Sequence, residues 1–93
     1  MTTDEILKEA ILKWGNESQM DMVIEECAEL IQAINKYKRS KSKDHITETY
    51  NNLCSEVADV EIMIQQARII LNPKIIDNHK EVKINRLKTR LGL

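Results

Sequence analysis

An all-α bundle is the fold this chain is expected to adopt, and three features lead there. One Pro, two Gly, no Phe and 31% charged residues suit helices better than a sheet. Apolar residues recur at spacings of three and four. The helix breakers fall between those periodic stretches, at Gly15, in the Ser-Lys run 40–43 and at Asn72-Pro73.

Taken in order, Thr2 followed by Glu5 is a capping-box pattern, and Gly15 is a natural stop. A first helix is therefore expected over about residues 3–14, with Ile6, Ala10, Ile11, Leu12 and Trp14 as its apolar side. Asn16 is the expected cap of a longer second helix running to about Arg39. Its stripe, Met20, Val23, Ile24, Cys27, Leu30, Ile31 and Ile34, has the spacing of a core-facing helix. Ser40 to Lys43 lacks periodicity and reads as a connecting loop. A third helix is expected from about Asp44 to Leu71, through Tyr50, Leu53, Cys54, Val57, Val60 and Ile64. Asn72 then caps a fourth helix with Pro73 in its first turn, which carries Ile75, Ile76, Val82, Leu87 and Leu91 and ends near Gly92. Short connections make residues 1–93 one domain.

Size and charge narrow the functional classes. At 93 residues the chain is close to the lower limit for a self-sufficient core, so completion by oligomerisation is expected. A net charge of −1 gives no support to nucleic-acid binding or to an anionic membrane surface. The Lys38–Lys43 run is expected to be a solvated loop. No apolar run has membrane length, and the start of the chain lacks a signal-peptide stretch. Cys27 and Cys54 stand at apolar positions of helices and read as buried free thiols, which fits a cytoplasmic protein.

The most informative pattern is a near repeat. Glu26-Cys27-Ala28-Glu29-Leu30 returns as Glu56-Val57-Ala58-Asp59-Val60, each copy with two carboxylates three residues apart on one side of a helix. At about 100° per residue, Glu26 and Glu29 lie roughly 100° and 160° to one side of Cys27, and Glu56 and Asp59 hold the same offsets from Val57. Met22, Ala33 and Tyr37 share the first sector; Met63 and Ala67 share the second. If the two helices pack antiparallel, the acidic pairs can face each other. Glu25, on a more outward face, is a candidate fifth ligand. With fifteen acids in the chain, some such spacings arise by chance and sit on a solvated surface. The duplication, the equal angles and the apolar neighbours argue against that reading here. Like charges gather only at a cost, which a cation offsets. Oxygen ligands without His or Cys select Mg²⁺, with Mn²⁺ possible, over Zn²⁺. Such a centre suits attack on a phosphoanhydride.

With this spacing, Glu26-x-x-Glu29 and Glu56-x-x-Asp59 resemble the signature of the MazG-like all-α nucleoside triphosphate pyrophosphohydrolases. Ile24 to Leu30 looks like that family's first metal-binding helix, and Glu56 to Met63 like its second. Trp14-Gly15, Gln19, Lys36-x-x-Arg39 and Lys83-x-x-Arg86-Leu87 are similar to small, phage-type members. The resemblance implies a four-helix MazG-like bundle that hydrolyses a nucleoside triphosphate, often a deoxynucleotide, to monophosphate and pyrophosphate. It implies that Glu26, Glu29, Glu56 and Asp59 hold Mg²⁺, with Glu25 as a supporting or additional ligand. Water deprotonated with help from one of these carboxylates is the implied nucleophile. A homodimer or dimer of dimers, with sites completed across subunits, is the implied assembly. The short linker between the acidic helices sets the chain apart from tandem-domain members, and Met63 leaves the base preference open.

Further candidates surround the acids. Lys83 with Arg86, and Lys36 with Arg39, each one turn apart, are candidates for triphosphate binding, and each pair also reads as a solvated cationic face. Trp14 is placed to stack on a base or to pack in a core or subunit contact. Gln19 is placed to hydrogen-bond a base edge or to complete the Asn16 cap. His45 and His79 show no ligand spacing and receive no role. Two other functions compete: a non-catalytic helical oligomeric adaptor, and the related hydrolysis of phosphoribosyl-ATP.

Overall fold

Short polar side chains start three of the four helices by taking up backbone N–H groups that the first turn leaves free. The Thr2 hydroxyl accepts from the Glu5 N–H at 3.1 Å, the Ser42 hydroxyl from that of His45 at 3.2 Å, and the Asn72 side chain from that of Lys74 at 3.0 Å. The computed structural model describes residues 1–93 and contains four helices and no strand: α1 Thr3–Trp14, α2 Asn16–Arg39, α3 Lys43–Ile70 and α4 Pro73–Arg90. The start of α2 departs from the sequence reading. Asn16 is its first helical residue and not its cap; Gly15 serves instead, at φ 89°, and no side chain caps the helix. Gly15 also ends α1, its N–H donating to the Ile11 carbonyl at 2.8 Å. A side chain at that positive φ would be strained, so the tight joint between α1 and α2 depends on glycine.

The three-residue connection Ser40–Ser42 folds α3 back antiparallel on α2, and this hairpin is the main packing of the chain. Gln19 and Ala33 are buried on α2; Thr49, Gln66 and Ala67 are buried on α3. Between them along the seam stand half-buried Met22, Glu26 and Glu29, and Leu53, Glu56, Asp59 and Met63. The seam therefore runs through the acidic sector. On a helical wheel Gln19, Met22, Glu29 and Ala33 all fall within about 60° of Glu26. Ala33 is 2% exposed, and its small side chain permits close approach of α3.

The apolar stripes lie elsewhere. They are centred about 100° from the seam on both helices, and the residues farthest round are exposed: Ile24 at 68%, Ile31 at 61% and Tyr50 at 53%, with Ile34, Val57 and Ile64 beside them. Met20, Val23, Cys27, Leu30 and Val60, nearer the seam, are half-buried. Cys54 is exposed and Cys27 half-buried, so neither thiol is enclosed as the sequence suggested. In an antiparallel pair, equal offsets on the two helices fall on the same side of the layer. The stripes therefore form one continuous apolar face on one side of the hairpin.

α1 packs against the far end of the hairpin through Leu7, the buried apolar residue of that helix. Its burial stabilises the packing by roughly 2 kcal/mol. Gln66 donates to the Leu7 carbonyl at 3.4 Å, and Gln65 to Asp4 at 2.8 Å. α4 touches α3 alone, held at the corner by an Arg68–Asp77 ion pair at 2.8 Å. No residue of α4 is buried, and Ile75, Val82, Leu87 and Leu91 are exposed. Consequently the four helices do not close into a bundle within one chain. The radius of gyration is 16.7 Å, against about 12 Å for a compact domain of this length. No helix is long and apolar enough to cross a membrane.

Candidate metal centre

The acids owe their position to helix geometry and to the antiparallel seam. Glu26 and Glu29, one turn apart on α2, meet Glu56 and Asp59, one turn apart on α3. One carboxylate oxygen from each lies within 4.8 Å of the others. All four side chains are half-buried. One oxygen of Glu26 and one of Glu56, both Oε2, are shut away from solvent without a hydrogen-bond partner. Orphaned buried acceptors of this kind are costly, and no Lys, Arg or His forms an ion pair with them.

The electrostatics follow. The Glu26 and Glu56 carboxyls are both held above the usual carboxylate range, first by desolvation and then by the negative charges of Glu29 and Asp59. Protonation is one remedy for this crowding; a divalent cation is the other. The donor set fits the second: four carboxylates converge without sulfur or imidazole, which is the chemistry of Mg²⁺ or Mn²⁺. Glu25 is exposed and stands outside the cluster, so the expected fifth ligand is not brought to it.

Two pockets flank the cluster along the seam. Toward α1, a pocket of about 350 Å³ is lined by Trp14, Ser18, Gln19, Met22 and Met63. Met22 and Met63 each stand one turn from the acids, next to Glu26 and Asp59 respectively. Trp14 and Gln19, picked out by sequence, thus share one cavity. Lys13 Nζ lies 5.4 Å from the Trp14 ring centroid, a cation–π contact that steadies the indole. At the other end, a polar pocket of about 630 Å³ is lined by Lys36, Arg39, His45, Glu48, Thr49 and Asn52.

Lys36 and Arg39 therefore border the seam, whereas Lys83 and Arg86 do not. Those two lie on the exposed length of α4, which makes no contact with α2. Sequence reading passed over His45, Thr49 and Asn52. The signal for them was present: Asn52, Thr49 and His45 precede Glu56 by four, seven and eleven residues and continue its helical sector. No protein-family model, curated protein or solved structure matches the chain.

Proposed function

We propose that the chain is a MazG-like nucleoside triphosphate pyrophosphohydrolase, which hydrolyses a nucleoside triphosphate, a deoxynucleotide by preference, to monophosphate and pyrophosphate. The observation that carries this reading is the convergence of Glu26, Glu29, Glu56 and Asp59, with two buried, unpartnered oxygens among them. These four would hold Mg²⁺, which when bound neutralises charge on phosphate oxygens and acidifies nearby water. The flanking cavity suits the nucleoside: an indole for stacking, a buried amide for a base edge and two methionines for apolar contact. The carboxylate cluster itself is the acceptor for the proton of the attacking water. The water oxygen bonds to phosphorus as the α–β phosphoanhydride bond breaks, and the electron pair leaves on the bridging oxygen with the departing product, pyrophosphate or monophosphate according to which phosphorus is attacked.

Self-association belongs to the same proposal. The continuous apolar face on α2 and α3 closes against a second copy, giving a homodimer or a dimer of dimers, and the exposed side of α4 provides further surface. That same face would also serve a non-catalytic oligomeric adaptor, which is the second reading. A cytoplasmic location and a lack of nucleic-acid or membrane partners go with either one.

The test is pyrophosphate release from a panel of NTPs and dNTPs, with phosphoribosyl-ATP included, in Mg²⁺ and in Mn²⁺. Metal-dependent release that is lost in Asp59→Asn, with helicity unchanged, is expected. A folded oligomer inactive on the whole panel would favour the adaptor.

A further inference from the structure

Of the four helices, α4 has the least support within the chain. None of its residues is buried; the Arg68–Asp77 ion pair and half-buried Ile76 tie it to the end of α3. A helix of 18 residues standing alone is marginal in water, and most helical stability in proteins comes from packing. The side chains of α4 are sorted for such packing. At about 100° per residue, every apolar side chain of residues 75–91 falls in one sector of about 200°. Lys80, Lys83, Arg86 and Arg90 lie in the same sector, whereas both acids of the helix, Asp77 and Glu81, lie outside it. One side of α4 is therefore both apolar and cationic. It is also open, because Ile75, Val82, Ile84, Leu87 and Leu91 are all at least half exposed.

The rest of the chain has the opposite charge. Residues 1–72 contain thirteen acids and eight Lys and Arg, while residues 73–93 contain two acids and six Lys and Arg. Around the open apolar face of the hairpin, unpaired acids gather at one end. Glu17 and Asp21 lie within about 60° of Ile24 on α2, and Glu61 within about 60° of Ile64 on α3. All three are exposed and none forms an ion pair. Counting outward from the converging quartet, residues 17–24 of α2 stand level with about residues 61–68 of α3, so these acids share one end of the face. The cation at that level, Arg68, is held by Asp77.

From this match of charge and apolar surface, we propose that α4 is an exchanged arm. Its apolar and cationic side docks on the acid-rimmed end of the α2–α3 face of a second copy, with Lys83 and Arg86 against Glu17, Asp21 and Glu61. The inference rests on the self-association proposed above and names the segment that makes it. A second copy is favoured over the chain's own hairpin because the corner holds α4 away. Leu71 and Asn72 alone join the two helices, the Arg68–Asp77 pair bridges them, and α4 does not touch α2. In a two-fold dimer each copy gives and receives one arm, so the contact occurs twice. The remainder of the apolar face is left for direct packing of the two hairpins.

The experiment is sedimentation equilibrium of the full chain. Lys83→Glu with Arg86→Glu, and separately Asp21→Lys with Glu61→Lys, are each expected to weaken the dimer about tenfold or more, since every altered contact is present twice. In an equimolar mixture of these two variants each arm meets opposite charge on the other copy, and association should return. Lys74→Glu with Lys88→Glu, on the acid-bearing side of α4, is the control and should leave the affinity unchanged. All six positions are exposed, and circular dichroism will show whether the variants keep their helices. A dimeric wild type whose affinity is unchanged in Lys83→Glu with Arg86→Glu overturns the arm and leaves self-association standing. Equal weakening in the control overturns the arm as well. Recovery when all four substitutions share one chain, but not on mixing, places α4 on its own hairpin and overturns the exchange. A wild type that stays monomeric overturns the arm and self-association together, while pyrophosphate release from the same samples decides the hydrolase reading separately.

Discussion

Glu29→Gln tests the metal centre without relying on a substrate. Glu29 heads the charges that hold both the Glu26 and the Glu56 carboxyl above the usual range. Neutralising it while keeping the side chain's shape removes repulsion from the folded state only. Without metal, the variant should melt above the wild type. With metal, the order should reverse. A ligand at about 100 times its dissociation constant stabilises the fold that binds it by about 2.7 kcal/mol. For 93 residues, the entropy of unfolding is about 0.2 kcal/mol per kelvin. The wild type should therefore gain about 14 °C in melting temperature on saturation with Mg²⁺. Glu29→Gln loses one of four converging carboxylates and should gain much less at the same metal concentration. Glu25→Gln, outside the cluster, should gain as much as the wild type. Calorimetry at one fixed protein concentration measures all three. Equal Mg²⁺-induced gains in wild type and Glu29→Gln, or none in the wild type, would refute the argument that these acids form a cation site.

Other consequences can be checked in parallel. The folded-state pKa values of Glu26 and Glu56 are raised above their ordinary value of 4.5, so between the two values the folded chain holds more protons than the unfolded one. Metal-free stability from these groups should thus be greatest below about pH 4.5 and decline as pH rises through the raised values, while the gain from Mg²⁺ grows over the same range; a series of melting curves across pH will show both trends. Trp14 is the only Trp, and it lines the cavity beside the acids. Its fluorescence should change on adding nucleotide, and Trp14→Ala should raise KM with little change in kcat; an unchanged KM removes it from the site. Ile24→Glu combined with Ile31→Glu places charge on the open apolar face and should convert an oligomer to monomer in sedimentation. Ala33→Leu forces volume into the tightest part of the seam and should cost about 1–3 kcal/mol in denaturant unfolding.

The side-chain caps at Thr2 and Asn72 were legible in advance because capping involves residues within one turn, whereas the Ser42 cap of α3 lay in a stretch read only as a loop. The acidic quartet was legible for the same kind of reason. A three-residue spacing fixes two carboxylates on one side of any helix, and equal offsets on two helices let them meet once those helices lie antiparallel. The first-turn hydrogen bonds and the spacing are local properties, so the sequence by itself determined where the helices run and which acids share a side.

Only the tertiary structure decided which side became the seam. An apolar stripe shows which face of a helix avoids water, but not whether another part of the same chain will cover it. Here the α2–α3 contact is centred on Gln19, Glu26, Ala33, Thr49, Glu56 and Ala67, about 100° away from Ile31 and Val57. The acids consequently stand within the contact, where desolvation acts on them, and the apolar stripe is left open. Leu7 and Gln66 became buried through the docking of α1, a contact across 59 positions of chain that no local pattern encodes. The separation of Lys83 and Arg86 from the acids arises in the same way, because α4 leaves the hairpin at the Arg68–Asp77 corner. Spacing specifies which groups travel together on one helix; long-range packing sets which faces meet, and therefore what each group encounters.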